Sequence, residues 1–314
     1  MISNSLRWPG RYNKVVPSKI NGLILGLTAA LAGAACSAPA HAEVPVTYIT
    51  ATPSPTDTLT PAPSRTVTAT PWPTPSLIPT ATATPVCAET RGRVMQEKFE
   101  SRAINEMINL RIYLPPCYAT HTWQRYPVLY LIHGLNMDES IWDEIGADET
   151  ANDLITRGDI PPVIIVMPFA PDDPRFVETV AFDLLPHIDS AYRTKADRAY
   201  RALGGMSRGG GWTIRIGLQY PGLFSALGLH SLAIFFADEE AIIPWLNKLP
   251  ADNTPRIYID IGQGDSLLRS AMWFDEALTT RAIAHEFHLY AGRHEPAYWS
   301  EHLPEYLRWY TAEW

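Results

Sequence analysis

The chain has 314 residues, 46% of them hydrophobic, a formal net charge of −8 and only 3 cysteines. The first third of the chain is not globular in composition, and the remaining length from Cys87 onward suits one folded domain. The acidic balance argues against nucleic acid or an anionic membrane surface as a partner.

The first 42 residues resemble an export signal. They hold four cations and no acidic residue, then an apolar run at 23–35, then Ala-His-Ala at 40–42. A positive start, a short apolar stretch and small residues before a cleavage point predict a secretory signal peptide at 1–42. Its removal would take away four positive charges and lower the net charge from −8 to −12. We expect a secreted or cell-surface protein, with lipid attachment at Cys36 or a retained anchor as alternatives.

Residues 43–86 are rich in Pro and Thr, and Thr-Ala-Thr-Pro recurs at Thr50, Thr68 and Thr82. Such a segment has too little apolar surface to bury a core and favours extended backbone. We predict a disordered linker at 43–86 and one folded domain at 87–314. Attachment to the cell envelope through the N-terminal segment would make the linker a spacer.

The folded part opens with a predicted hairpin, in which residues 92–99 and 110–114 flank a turn near 102–105. In an antiparallel hairpin, the residue numbers of two paired positions always add up to the same value. The sum for Cys87 and Cys117 is close to the value that this turn sets. In an oxidising compartment we therefore predict a disulfide between them, worth about 3 kcal/mol.

Strand-like and helix-like runs then alternate. Strands are predicted near 93–100, 107–115, 127–132, 162–167, 199–206, 224–230, 256–261 and 285–290, and helices near 147–157, 178–192, 208–219, 268–282 and 300–311. The alternation after residue 125 predicts an α/β fold with a mainly parallel sheet, helices on both faces and the antiparallel hairpin at one edge. The insertion 231–255 is long enough to form a small cap.

Gly205-Met206-Ser207-Arg208-Gly209 lies between a predicted strand and a predicted helix. G-x-S-x-G in that context is the nucleophile elbow of α/β-hydrolases, in which a strained turn exposes the serine hydroxyl. A serine hydroxyl needs a base and an orienting acid to become a nucleophile.

The chain order serine, acid, histidine expected for α/β-hydrolases is met downstream. Asp265 follows the strand-like run 256–261, and His294 follows the last one. Asp265 could instead cap only the helix after it, and Asp260 is a competing acid, although its place inside an apolar run favours a strand residue. We predict Ser207, Asp265 and His294 as the catalytic residues.

The runs 126–134, 205–211 and Gly292-Arg293-His294 resemble the putative esterase family, which includes feruloyl, acetyl xylan and enterochelin esterases, esterase D and the mycolyltransferases. The resemblance covers roughly 92–314 and implies the α/β-hydrolase fold and the same three catalytic residues. One departure is Arg208, since the family usually has Met or another uncharged residue after the serine.

An oxyanion hole requires two N–H donors. We predict the backbone N–H groups of Arg208 and, after the third strand, of Leu135. The neighbouring His133 is predicted to have a structural role. Trp142 and Trp245 are candidates for stacking on a sugar or an aromatic acyl group, with a core role for each left open.

These observations predict a secreted serine esterase that acts on a small ester or an esterified polysaccharide, such as feruloyl or acetyl esters, without metal or cofactor. An acyltransferase of the mycolyltransferase type would use the same residues, and a non-catalytic surface-attached binding module is a further alternative. A metal hydrolase built on His285 and His288 is disfavoured, because an i, i+3 spacing in a strand points side chains to opposite faces.

Overall fold

The structure, a computed structural model, describes residues 87–314. The predicted signal peptide and linker lie outside these residues. Eight strands form one sheet: β1 (Arg93–Ser101), β2 (Glu106–Leu114), β3 (Val128–Ile132), β4 (Ile164–Pro168), β5 (Arg201–Met206), β6 (Ala226–His230), β7 (Arg256–Gly262) and β8 (Glu286–Tyr290).

The sheet has the order β1-β2-β4-β3-β5-β6-β7-β8. The β1–β2 and β2–β4 pairs are antiparallel, and every other pair is parallel. The predicted fold class is therefore confirmed. Because β3 to β8 all run in one direction, the loops that follow them meet at a single edge of the sheet, where open α/β proteins place their sites.

Helices cover both faces of the sheet. They are α1 (Ile141–Glu144), α2 (Ala147–Arg157), α3 (Phe176–Glu178), α4 (Leu185–Ala191), α5 (Arg208–Gln219), α6 (Ile242–Asn247), α7 (Leu268–Thr279) and α8 (Pro296–Thr311). The short helices α1 and α6 were not predicted, and each sits in a loop after a strand. No helix within 87–314 has both the length and the apolar character needed to cross a membrane.

The two faces follow from the alternation of side chains along each strand. On one face, Val128, Tyr130 and Ile132 of β3 join an apolar cluster with residues of α4 and α5. On the other, Leu129 and Leu131 join a cluster with residues of α2 and α8. A β strand buried on both faces needs apolar side chains at every position, as the sequence of β3 has.

Two predicted boundaries moved for local reasons. Arg198–Tyr200 forms a short 3-10 turn whose start is capped by the Asp197 carboxylate, so β5 begins only at Arg201. The predicted helix 178–192 begins at Phe176 and contains a π-helical segment at Thr179–Leu184.

Cys87 and Cys117 form the predicted disulfide, with their Cα atoms 5.8 Å apart. It joins the segment before β1 to the loop after β2. Because β2 runs antiparallel to β4, the loop after β2 lies on the side of the sheet where the parallel strands begin, opposite to their carboxyl ends. The disulfide is thus far from the predicted catalytic residues.

Candidate active site

Ser207 lies in a strained turn between β5 and α5. Its φ of 55° and ψ of −118° are unfavourable for any residue with a side chain. The backbone is held there by hydrogen bonds, since the Ser207 N–H donates to the His230 carbonyl at 2.8 Å and the Ala233 N–H donates to the Ser207 carbonyl at 2.9 Å. Strain of this kind is maintained only where the surroundings enforce it.

The glycines of the elbow are required by close backbone approach. A Cβ on Gly205 would lie 2.4 Å from the carbonyl carbon of Gly209, and a Cβ on Gly209 would lie 2.2 Å from the carbonyl oxygen of Ile132. Both distances are far below van der Waals contact. The G-x-S-x-G spacing is therefore explained by two close approaches, of β5 to the start of α5 at Gly205 and of α5 to β3 at Gly209.

The structure brings the three predicted catalytic side chains together. The His294 Nε2 atom lies 2.9 Å from the Ser207 hydroxyl oxygen, and the Nδ1 atom lies 2.9 Å from an oxygen of Asp265. Asp265 follows β7 and His294 follows β8, so neighbouring parallel strands deliver the acid and the base to one edge. This geometry matches a nucleophile, a base and an orienting acid.

The Asp265 carboxylate is fully buried, whereas the imidazole of His294 is 27% exposed. Burial by itself raises the pKa of Asp265, but hydrogen bonds from the His294 ring and from the Leu267 amide hold that pKa below its usual range. Asp265 is thus ionised at neutral pH and accepts a hydrogen bond from the Nδ1–H of His294. The lone pair on Nε2 is then free to accept from the Ser207 hydroxyl.

The other oxygen of Asp265 accepts a hydrogen bond from the Leu267 N–H at 2.7 Å, immediately before α7 begins at Leu268. The N-cap position of α7 is Leu267 and no side chain caps this helix, so the alternative that Asp265 serves only as a helix cap is wrong. The competing acid, Asp260, is a strand residue of β7 and binds His230 rather than His294.

The first predicted oxyanion donor, Arg208, follows the nucleophile in the chain, and the second, Leu135, follows a glycine that lies close to Ser207. Arg208 is the first residue of α5, and Gly134 approaches Ser207 so closely that a Cβ on it would lie 3.5 Å from the serine Cβ. Within 87–314 neither the Leu135 amide nor the Arg208 amide has a hydrogen-bond acceptor. Both N–H groups therefore remain available, and their oxyanion role stays a prediction.

His133 has a structural position behind this loop. Its Nε2 accepts a hydrogen bond from the Ala170 N–H at 2.8 Å, so its Nδ1 carries the proton and donates to the Gly134 carbonyl at 2.8 Å. Burial lowers the pKa of His133 to about 4. The neutral ring joins the loop after β3 to the loop after β4.

The side chain of Arg208 points to the same loop. Its guanidinium donates to the Ala170 carbonyl at 2.6 Å, and Asp172 lies 3.9 Å away. Ala170 is thus held from both sides, by Arg208 at its carbonyl and by His133 at its N–H. The arginine that departs from the family pattern anchors a loop of the site.

Trp142 was a candidate for stacking, with a core role left open, and the structure places it in the core. It is 1% exposed, belongs to the core cluster against α2 and α8, and donates from its indole N–H to the Ile132 carbonyl. The loop after β3 turns into α1 and buries the ring, which no sequence pattern indicated. Trp245 lies on α6 and packs, half-buried, against a separate apolar cluster, so its substrate role stays a prediction.

His285 and His288 have different partners. His285 contacts Asp275 at 2.8 Å, whereas His288 stacks on Tyr258.

Two surface cavities of about 600 and 380 Å³ are lined by other residues, along β1 with α4 and along α2. Neither cavity includes Ser207 or His294, and the hydrogen-bonded side chains define the candidate site instead.

Sequence reasoning missed the second buried pair beneath this site, His230 with Asp260. The available signal was a charged residue inside the apolar run of β7 and a histidine at the end of β6.

The comparison with known families decides the assignment. Residues 101–310 match the family model described as "Putative esterase". The chain belongs to this family. A bifunctional endo-1,4-beta-xylanase/feruloyl esterase of Xylanibacter ruminicola is 32% identical over 223 residues, which are 62% of this chain and 29% of that protein. An esterase of Mycobacterium tuberculosis is 29% identical over 201 residues, 59% of this chain and 41% of its own length.

Two solved structures share the fold. A ferulic acid esterase has a TM-score of 0.65 and 25% identity, covering 71% of this chain and 100% of its own. An S-formylglutathione hydrolase from Staphylococcus aureus has a TM-score of 0.60 and 19% identity, covering 70% of this chain and 97% of its own. The chain spans less than half the length of the two curated relatives described above.

Proposed function

We propose that the domain at 87–314 is a serine esterase that hydrolyses carboxylic esters through an acyl-enzyme. The observation that carries the proposal is the hydrogen-bonded series Asp265–His294–Ser207, with 2.9 Å between each pair of atoms. Family membership supports it independently.

In this mechanism the Ser207 oxygen attacks the ester carbonyl while His294 Nε2 takes the hydroxyl proton. The carbonyl oxygen becomes negative and is stabilised by the N–H groups of Arg208 and Leu135. His294 then gives its proton to the departing alcohol, which leaves an acyl group on Ser207. Water, activated by the same imidazole, releases the acid and restores the serine.

Feruloyl esters attached to polysaccharide are the proposed substrates. The Xylanibacter relative and the ferulic acid esterase structure support this class. Two exposed apolar side chains also lie within a few residues of segments that contact the nucleophile: Leu135 follows Gly134 and is 45% exposed, and Phe236, three residues after Ala233, is 79% exposed. Such surfaces suit an aromatic acyl group better than acetate.

Export is part of the proposal. A disulfide such as Cys87–Cys117 persists in oxidising compartments and is rare in the cytosol. Together with the predicted signal peptide at 1–42, it supports a secreted enzyme or one held at the cell surface by its linker.

Replacement of the nucleophile tests the activity. We expect Ser207→Ala to lower kcat on methyl ferulate by at least about 10⁴-fold, because the acyl-enzyme cannot form. Ser190→Ala removes a hydroxyl from the distant helix α4 and should leave kcat unchanged. Hydrolysis should also persist in excess EDTA. Equal activity of the Ser207 variant and the wild type would exclude the mechanism.

Products with and without an added sugar acceptor separate hydrolysis from acyl transfer. Free ferulic acid as the main product in both reactions supports the esterase. Transfer of the acyl group to the sugar would assign the same residues to an acyltransferase.

A further inference from the structure

A buried polar cluster lies directly beneath the proposed catalytic residues. It consists of His230 on β6, Asp260 on β7, and Tyr298, Tyr306 and Tyr310 on α8. Each of the five is at most 3% exposed. Polar groups so deeply buried persist only when they are hydrogen-bonded, and they cost stability otherwise.

Asp260 is the centre of the cluster. One of its oxygens contacts His230 Nδ1 at 2.6 Å, and the other accepts hydrogen bonds from the hydroxyls of Tyr298 at 2.8 Å and Tyr306 at 2.6 Å. The hydroxyl of Tyr310 contacts His230 Nε2 at 2.9 Å. His230 and Asp260 are also directly paired residues of the sheet.

The tyrosine hydroxyls of this cluster stay protonated. Burial raises the pKa of Tyr298, and the negative charge of Asp260 raises it further. The same causes, in the same order, raise the pKa of Tyr306 well above its usual value. Both tyrosines therefore act as permanent donors to one carboxylate oxygen.

Tyr298 connects the cluster to the loops that carry Asp265 and His294. Its ring packs so closely on Gly292 that a Cβ there would lie 2.5 Å from the ring. Gly292 has a φ of 144°, and its carbonyl accepts a hydrogen bond from the Gly264 N–H at 2.9 Å. The segment before His294 and the segment before Asp265 are thus fastened together against the Tyr298 ring.

The next residue of α8 contacts the imidazole itself. Trp299 meets the His294 ring edge to face, with ring centres 5.1 Å apart. The first turn of α8 therefore supports the His294 loop at Gly292 through Tyr298 and the His294 ring through Trp299. The orientation of this turn decides where Nε2 lies relative to Ser207.

We propose that Tyr298 is a positioning residue for the proposed esterase reaction, and that the buried Asp260 carboxylate holds it in place by the hydrogen bond from its hydroxyl. The inference rests on the proposed function of Ser207, His294 and Asp265. Tyr306 supplies a matched comparison, since it donates to the same oxygen of Asp260 and none of its contacts within 87–314 involves Gly292 or His294.

Two single substitutions test the proposal on the intact protein. Tyr298→Phe removes one hydroxyl, and Tyr306→Phe removes the equivalent hydroxyl from the neighbouring donor. We expect both to lower the midpoint of thermal unfolding. Tyr298→Phe should lower kcat for an ester about 10-fold with KM changed less than about twofold, because misplaced catalytic groups slow the chemical step. Tyr306→Phe should keep kcat within about twofold.

Equal loss of kcat in the two variants, or unchanged kcat in Tyr298→Phe, overturns the positioning role. A second measurement is independent of substrate, namely the NMR signal of the His294 Nδ1 proton that bonds to Asp265. We expect this signal to broaden by faster exchange in Tyr298→Phe and to persist in Tyr306→Phe. If the wild-type protein hydrolyses no ester, the proposed function fails, and the NMR comparison alone decides the positioning role.

Discussion

At Ser207 the backbone conformation and the chemistry have one cause. The turn leaves the hydroxyl at the carboxyl end of β5, 2.9 Å from the His294 ring, while hydrogen bonds with His230 and Ala233, at and after the end of β6, maintain a φ of 55°. Gly205 allows the start of α5 to come close to β5, and Gly209 allows β3 to come close to α5. Both features follow from the G-x-S-x-G motif, so at the residue scale the strained turn at Ser207 could be predicted from sequence.

The protonation state and the hydrogen-bond partner of His133 are not indicated by any sequence motif. The ring is neutral because burial lowers its pKa to about 4, and because the Ala170 N–H occupies Nε2. The residue adjoins Leu135, a predicted oxyanion donor, yet its contacts join the loop after β3 to the loop after β4. Its partner, Ala170, is 37 positions away and carries no sequence signature.

This ring should make stability depend on pH. An unfolded histidine has a pKa near 6.5, so below that pH the unfolded chain binds a proton that the folded protein excludes until about pH 4. The free energy of unfolding should therefore fall as pH drops from 6.5 to 4, by at most about 1.4 kcal/mol per pH unit from this group.

His133→Gln keeps an acceptor for the Ala170 N–H and removes the titration. Urea unfolding at pH 6.5 and 4.5 should show a smaller pH dependence in this variant than in the wild type. His121→Gln, in the loop between β2 and β3, is the control and should retain the wild-type dependence. A pH dependence that is the same in all three proteins would contradict the assignment.

At the scale of elements, the segment after β6 is attached to α5 by side-chain contacts and carries the exposed Phe236. Arg215 on α5 makes two hydrogen bonds to the buried Asp238, and its guanidinium also lies over the ring of Phe235. The 3-10 turn at Phe236–Asp238 is thereby fastened to α5. The Phe236 side chain is exposed to solvent, and Phe236 lies three residues after Ala233, which is hydrogen-bonded to Ser207.

Phe236→Ala should affect aromatic esters selectively. We expect KM for methyl ferulate to rise about 5- to 10-fold, because an apolar contact of one ring is lost, while hydrolysis of p-nitrophenyl acetate changes little. Trp123→Ala is the matched control, since Trp123 is 57% exposed and lies at the opposite edge of the sheet. If both esters respond equally to Phe236→Ala, the side chain does not contact the acyl group.

The insertion 231–255 was predicted as a cap from its length, and the structure resolves it into two 3-10 turns and α6. The existence of an inserted segment at 231–255 could be predicted, because neither a strand pattern nor a long helix pattern fits these residues. Its attachment to α5 could not, because the Arg215–Asp238 pair joins positions 23 residues apart and either residue alone is typical of an exposed surface.

For the whole molecule, the disulfide ties the beginning of the domain to its second strand. The Cys87–Cys117 bond encloses β1 and β2 with a sequence separation of 30 residues. Closing a loop of that length restricts the unfolded chain more than the folded one. The disulfide lies on the side of the sheet opposite to Ser207. Its removal should therefore lower stability without lowering activity.

Cys87→Ser with Cys117→Ser should lower the free energy of unfolding by about 3 kcal/mol. The double variant should keep kcat within about twofold at 25 °C, because no catalytic contact involves the disulfide. Chemical denaturation and ester hydrolysis on the same samples check both statements, with the wild type in reducing buffer as a control. A variant as stable as the oxidised wild type would contradict this account.

The amino-acid sequence by itself determined the order of strands and helices, the elbow at Ser207, and the positions of the candidate acid and base, Asp265 and His294, after the following strands. Each of these depends on neighbouring residues, on periodicity or on position along the chain. Tertiary structure alone decided the burial of Trp142, the anchoring of Arg208 to Ala170, and the cluster around Asp260. Those contacts join residues that are tens of positions apart, and only the packed sheet brings them within hydrogen-bonding distance.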